Sequence, residues 1–277
     1  MKRACLSLFL ILLTGFCRAG EASLEERIDV LLAEKLAADA TRENVVQQLV
    51  ALGAEAYPIL ARRLESKDLL KFLAIREALI ELGPAASPAL RSYVDTPPGH
   101  RARAAMSILS KIGHPGDLEF FLEHADHPAW QLRGGALRGI GNTGVVSATV
   151  EQAIRPRLDD PDPSVRRYAV RALGKTGTPT CFPRLAESLD DSSFFVRRAA
   201  SRALGELWQR SATSEIDLIP LLKRTENTAQ WPTQIIAIET LGRCRSPLSE
   251  ERLRQLAEDP DPTIRQAATR AINQKRD

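Results

Sequence analysis

The sequence predicts an all-α chain folded as an α-α superhelix of about eight helical-hairpin repeats. One motif recurs at a period near 31 residues, its copies carry helix start and stop signals, and the residue usage favours helix over strand. Taking the apolar residue equivalent to Leu173 as a marker, the series is Leu49, Leu79, Leu109, Ile140, Leu173, Leu204, Leu241 and Ile272, with intervals of 30, 30, 31, 33, 31, 37 and 31. Such a period is the signature of stacked repeats. Large shares of Ala, Leu and Arg, beside 14 aromatics among 277 residues, suit helices better than sheets.

The first segment reads as an export signal over residues 1–19. Basic Lys2-Arg3 precedes an apolar run from Ala4 to Leu13 that continues to Phe16, and Cys17 and Ala19 are small residues ahead of a cut after Ala19. The run is short for a membrane span, and no second one follows. An uncleaved anchor or a buried first helix are the competing readings. Phe16 argues against a lipid anchor at Cys17, because such signals place small residues before the cysteine. The expected location is outside a bacterial cytoplasm, periplasmic or secreted, with one solenoid over 20–277. Cleavage leaves Cys181 and Cys244, which is not a disulfide scaffold.

Charge excludes little but supports less. Three of the 38 Lys and Arg residues, Lys2, Arg3 and Arg18, fall in the first 19 positions, where there is no acid, so the remaining 35 balance 35 acids. A nucleic-acid binder concentrates positive charge, and a neutral chain gives that partner no support.

In chain order, Glu21–Ala40 supplies an acidic amphipathic opening helix. The units marked by Leu49, Leu79 and Leu109 keep the period and the terminal glycines Gly53, Gly83 and Gly113, with an abrupt stop at Thr96-Pro97-Pro98-Gly99. The clearest copy is DPDPSVRRYAVRALGKTG, Asp160–Gly177. There Asp162 is placed to cap a helix with Pro163 at its first position. Val165, Ala169, Ala172 and Leu173 form one apolar stripe. Gly177 is the expected helix stop. A second helix begins near Pro179–Pro183 and carries Leu185 and Leu189. One hairpin cannot bury its own apolar face, so the units must stack. The copies DSSFFVRRAASRALGELW, Asp191–Trp208, and DPDPTIRQAATRAI, Asp259–Ile272, follow. The long interval after Leu204, with polar stretches at 209–215 and 224–230, predicts longer loops on one edge. A short polar tail, 273–277, leaves the last unit partly uncovered, as self-assembly through the C-terminal end requires.

The pattern Asp-Pro-Asp-Pro-x-Val-Arg-x-x-Ala-x-x-Ala-Leu-Gly-x-x-Gly at Asp160–Gly177 resembles the HEAT repeat, and is similar to its short, phycobilisome-lyase-like subclass. Asp191–Trp208 keeps the Val-Arg and Ala-Leu-Gly parts. Leu132–Gly144 keeps Arg133, Ala136, Gly141 and Gly144. In weaker form the likeness extends from about Glu21 to the C-terminus. It implies a binding or scaffolding surface. Some members attach or detach bilin pigments on light-harvesting proteins, but the repeat motif carries no catalytic residue for that work.

Candidate residues each admit two readings. Arg133, Arg166, Arg197 and Arg265 share one repeat position. They form either a basic ladder for an acidic partner or staples to inter-repeat aspartates and loop carbonyls, which suits their forked donors better. The clusters Asp159-Asp160-Asp162, Asp190-Asp191 and Glu258-Asp259-Asp261 lack calcium-loop spacing and fit helix capping. Trp130, Pro163, Phe194, Trp231 and Pro262 are equivalent, at the mouth of the first helix. The three aromatics are either an apolar strip that anchors a partner or rings packed on the preceding unit. Trp208 replaces a terminating glycine and is expected to plug the space between repeats. Four histidines, His100, His114, His124 and His127, suggest turns rather than a metal site, because Pro128 breaks the geometry a ligand pair would use. No nucleophile elbow, zinc-binding His pair, phosphate loop or Cys-x-x-Cys is present. Cys181 and Cys244 lie nearly two units apart, too far for a bridge.

The expected function is therefore a non-catalytic protein-binding scaffold in the cell envelope, without cofactor or metal. An accessory or regulatory subunit of an envelope enzyme is the alternative. A purely structural role and a bilin-lyase-like activity are lesser ones.

Overall fold

The computed structural model describes residues 22–35, 42–94, 99–211, 216–226, 231–244 and 246–273. The expected export signal, Thr96-Pro97-Pro98, the loop residues 212–215 and 227–230 and the tail from 274 lie outside the described residues. The fold is an all-α, HEAT-like α-α solenoid of helical hairpins. It divides into two compact units, Met1–Ala89 and Leu90–Asp277.

In the first unit, α1 (Leu24–Val30) opens with a capping box, in which Ser23 and Glu26 satisfy each other's backbone amides. It is followed by α2 (Arg42–Val50), α3 (Ala56–Arg62) and α4 (Leu69–Leu82). Asp68 caps α4 by accepting from the Leu70 and Lys71 amides. The markers Leu49 and Leu79 are fully buried. Helix α5 (Ser87–Val94) follows in the sequence.

The second unit repeats a long helix and a short one: α6 (His100–Ile112) and α7 (Leu118–His124), α8 (Trp130–Thr143) and α9 (Ala148–Ile154), α10 (Pro163–Thr176) and α11 (Phe182–Glu187), α12 (Phe194–Arg210) and α13 (Ile219–Arg224), α14 (Trp231–Arg243) and α15 (Pro247–Leu256), then α16 (Pro262–Asn273). The long helices stack on one another, α6 on α8 and so on to α16. Their markers Leu109, Ile140, Leu173, Leu204 and Leu241 are fully buried, and only Ile272 of the last is half-buried. The short helices are flanked by tighter 3-10 turns, such as Pro179–Cys181 before α11 and Ser188–Asp190 after it. Prolines at the starts of α11 and α13 remove backbone donors, and each of these helices is only six residues long.

Close approach of the long helices depends on small residues. A β-carbon on Gly141 would stand 3.0 Å from the Ala172 Cα, and one on Gly174 would stand 2.7 Å from the Ala203 Cα. The helix ends are less uniform than the motif suggests. Helices α6 and α8 end at Gly113 and Gly144, both with positive φ, as left-handed caps require. At the end of α10, Gly177 instead has φ −70° and ψ 158°. Its need is for space, since a β-carbon there would stand 2.6 Å from both Cys181 Sγ and the Leu173 carbonyl oxygen. Helix α12 has no glycine stop and runs on to Arg210, with Trp208 only 4 % exposed. Part of the long interval expected as loop is therefore helix. His124 closes α7 with Nδ1 2.8 Å from the Phe120 carbonyl, so it is a helix residue and not a turn residue. Among the described residues no helix is long and apolar enough to cross a membrane.

Candidate functional site

The five equivalent residues each occupy the first helical position of a long helix: Trp130 in α8, Pro163 in α10, Phe194 in α12, Trp231 in α14 and Pro262 in α16. Three residues further on stand Arg133, Arg166, Arg197, Gln234 and Arg265. The guanidinium Nη1 atoms of these arginines donate to two carbonyls of their own turn: His127 and Pro128 for Arg133, Asp160 and Pro161 for Arg166, Asp191 and Ser192 for Arg197, Asp259 and Pro260 for Arg265. Gln234 donates Nε2 to the Thr225 carbonyl at 2.9 Å. Two of the arginines also reach forward. Arg133 makes two bonds to the Asp160 carboxylate, at 2.8 and 2.9 Å, and Arg166 makes two to Asp191 at the same distances.

The aspartates are shared further. Asp160 accepts from the Asp162 amide at 3.0 Å and Asp191 from the Ser193 amide at 2.7 Å. Asp162 caps α10 by accepting from the Ser164 amide. Burial opposes the charged form of Asp160, but the Arg133 guanidinium, the Asp162 amide and the nearby Arg157 charge hold its carboxyl below the ordinary value. Burial likewise opposes Asp191, and Arg166 with the Ser193 amide outweighs it. Hydrogen bonding to these carboxylates, against burial, raises the pKa of Arg133 and Arg166. At Arg133 and Arg166 the donors of this repeat position are thus spent within the fold.

The aromatic edge faces solvent. Trp130 is 42 % exposed, Phe194 50 % and Trp231 64 %. The structure brings Phe194 and Trp231 together in one groove of about 480 Å³, walled by Pro232, Ile235 and Ile236, with Arg198 and Glu239 at its margin. Trp130 does not share it. Phe194 holds the Arg197 and Arg198 guanidinium carbons 5.8 and 5.7 Å from its ring centroid, within cation–π range.

A second groove of about 230 Å³ adjoins the first. Arg167 and Arg171 of α10 and Arg198 and Arg202 of α12 line it, with the exposed ring of Phe195 and the carboxylate of Glu206. Within each helix the two arginines are four residues apart, which places them on one face. Arg198 borders both grooves.

A family model described as HEAT repeats matches residues 118–205, 151–224 and 218–277, together more than half of the chain. The chain belongs to the HEAT repeat family. No curated protein sequence matches it. Among solved structures, an engineered protein is similar at 17 % identity and a TM-score of 0.50, covering 91 % of this chain and 78 % of that chain. The complex of CpcE and CpcF of phycocyanin lyase from Nostoc sp. PCC7120 is similar at 18 % identity and a TM-score of 0.44, covering 79 % of this chain and 87 % of that chain. Human deoxyhypusine hydroxylase in complex with glycerol stands at 20 % identity and 0.38, covering 91 % and 96 %. The likeness to the engineered protein is one of fold alone.

Within the HEAT repeats, most positions common to the copies are consumed in caps, staples and helix contacts. The groove of Phe194 and Trp231 uses positions where the copies differ, whereas Arg171 and Arg202 share their repeat position with Arg138 and Arg270. Residue-by-residue reading of the HEAT motif therefore singled out Phe194 and Trp231 but missed Phe195, Ile235 and the pairs Arg167/Arg171 and Arg198/Arg202. The available signal was arginine at four-residue spacing in two consecutive long helices. Among the described residues, no group of three or more His, Cys, Asp or Glu side chains is placed to hold a metal ion.

Proposed function

We propose that this HEAT-repeat chain is a non-catalytic protein-binding module, acting as a scaffold or as the accessory subunit of an enzyme. The observation that carries the reading is the groove of Phe194 and Trp231, two large rings left open to water side by side on consecutive repeats. Burying one such side chain stabilises a complex by about 1.5–3 kcal/mol, and aromatic anchors with neighbouring arginine are the residues that dominate protein interfaces. The mechanism is passive: stacked helices hold the anchors at fixed spacing, so a partner docks without first ordering the site. Its place of action is outside the cytoplasm, on the strength of the pattern in residues 1–19. Amino-terminal sequencing of the chain recovered from its own cells should begin at Gly20, and a start at Met1 would refute the export reading.

The binding test compares the chain from Gly20 with its Phe194→Ala/Trp231→Ala variant in capture from a cell extract, with folding checked by circular dichroism. A stoichiometric protein partner lost only from the folded variant is the expected result. Loss of folding together with binding would return both rings to a packing role, and recovery of further copies of the chain alone would favour self-assembly. A co-purifying activity whose rate changes on adding the chain would mark the accessory-subunit form of the same reading.

A further inference from the structure

The second unit has its charge sorted by helix. Its six long helices carry sixteen Lys and Arg residues against two acids, Glu206 and Glu239. Four of those arginines are the staples already described. Arg167, Arg171, Arg198 and Arg202 are different: they crowd around one groove, and among the described residues none of them has an ion-pair partner. The Nε of Arg167 is buried there without a hydrogen-bond partner. Elsewhere in this unit the buried carboxylates are matched, Asp117 by Arg91, Glu151 by Arg155 and Asp160 by Arg133. Like charges four residues apart on a helix repel, and those on the next helix add to the repulsion. An anion laid between them relieves it.

We infer that the α10–α12 face binds an acidic segment of a partner protein, with carboxylates over Arg167, Arg171, Arg198 and Arg202 and a neighbouring apolar side chain in the Phe194–Trp231 groove. The inference rests on the protein-binding reading above and adds the partner's chemistry. Guanidinium forks match carboxylates in two-point contacts. Because Arg198 borders both grooves, the charged floor and the apolar pocket form one continuous track. A nucleic-acid strand fits it less well. Pro232, Ile235 and Ile236 give aliphatic walls that suit an apolar side chain of a peptide, where base stacking needs flat rings.

The test measures fluorescence anisotropy of two labelled probes against the full chain. One probe is a peptide of alternating Asp and Glu with a single central Phe, and the other is single-stranded oligothymidylate. The expected result is binding of the peptide that weakens as salt is added and falls about tenfold or more in the Arg171→Gln/Arg202→Gln variant. Removing the central Phe should weaken it again. Both arginines are exposed, so the variant should keep the parent's circular dichroism; Arg171→Lys/Arg202→Lys, which restores the charge, is expected to recover part of the affinity. Absence of peptide binding, equal binding by the Gln variant, or tighter binding of oligothymidylate overturns the inference. Partner capture lost in Phe194→Ala/Trp231→Ala but kept in Arg171→Gln/Arg202→Gln overturns the acidic segment alone and leaves the protein-binding reading standing. Capture lost in neither variant overturns both.

Discussion

Gly174 faces Ala203 of the next long helix so closely that a β-carbon on it would stand 2.7 Å from the Ala203 Cα. The obstructing atom is backbone and cannot swing aside. Gly174→Ala gains about 1 kcal/mol in helix propensity but overpacks a contact of a kind that costs about 1–3 kcal/mol. The second effect should win, giving a lower melting temperature. Gly144→Ala is the useful contrast. It has open space around it and φ of 69°, so left-handed strain alone should cost about 1–2 kcal/mol.

The Arg133–Asp160 staple is nearly buried, with side chains 11 % and 0 % exposed. Removing one partner strands the other's charge, so Asp160→Ala should cost about 3 kcal/mol or more. Asp162→Ala removes only a helix cap and should cost about 1 kcal/mol. Denaturant midpoints of the two variants should fall in that order.

Acid should unfasten the same joints. The Asp160 and Asp191 carboxyls are held below the ordinary value of 3.8 in the folded chain. The stability they contribute is fully present above that unfolded value and is lost as pH falls through the lower folded values. Unfolding free energy measured in denaturant should lose this contribution progressively below about pH 4. An Asp160→Asn/Asp191→Asn variant should be weaker at neutral pH and lose less on acidification. An equally steep acid loss in that variant would place the sensitivity elsewhere.

Cys181 and Cys244 are both buried and unbridged. Burial, with the Glu151 charge adding to it, pushes the Cys181 thiol up to about 12, so it carries almost no thiolate at neutral pH. Alkylation read by mass spectrometry should leave both sites unmodified in the native chain and label both in guanidinium chloride. Rapid native labelling of Cys181 would contradict its packing.

Much of the fold was legible because neighbour packing repeats. Asp162 before Pro163, the stripe through Val165 and Ala169, and Leu173 at the marker position all state local requirements, and each is met within one helix or one turn. Gly177 stops α10 as expected, but its need to lack a β-carbon is set by the Cys181 side chain and the Leu173 carbonyl, which the motif does not announce. Trp208 ended no helix because no glycine or proline followed to stop it. The arginine face was hidden by the chain's neutral total. Its acids sit largely in turns and short helices, such as Asp159, Asp190, Glu119 and Glu123, while the cations sit on the long ones. Phe195, beside the conspicuous Phe194, aligns with Gln131, Ser164, Pro232 and Thr263, so its repeat position carries no aromatic signal.

The staples are unevenly distributed, and this has a mechanical consequence. Arg133 and Arg166 each tie their repeat to the next, whereas among the described residues Arg197 bonds only its own turn and its Nε is buried without a partner. In a linear array, stability is a sum of nearest-neighbour couplings, and the weakest coupling decides where one cooperative block ends and another begins. Between α12 and α14 the described side-chain link is one buried hydroxyl pair, Thr240 Oγ1 donating to Ser201 Oγ at 2.9 Å, so the seam is expected there, beneath the groove of Phe194 and Trp231. Amide exchange should thus be slower in α10 than in α16. An occupant bridging the groove would fasten the two blocks together, and its presence would be felt as slowed exchange in α16, a helix that contributes nothing to the groove.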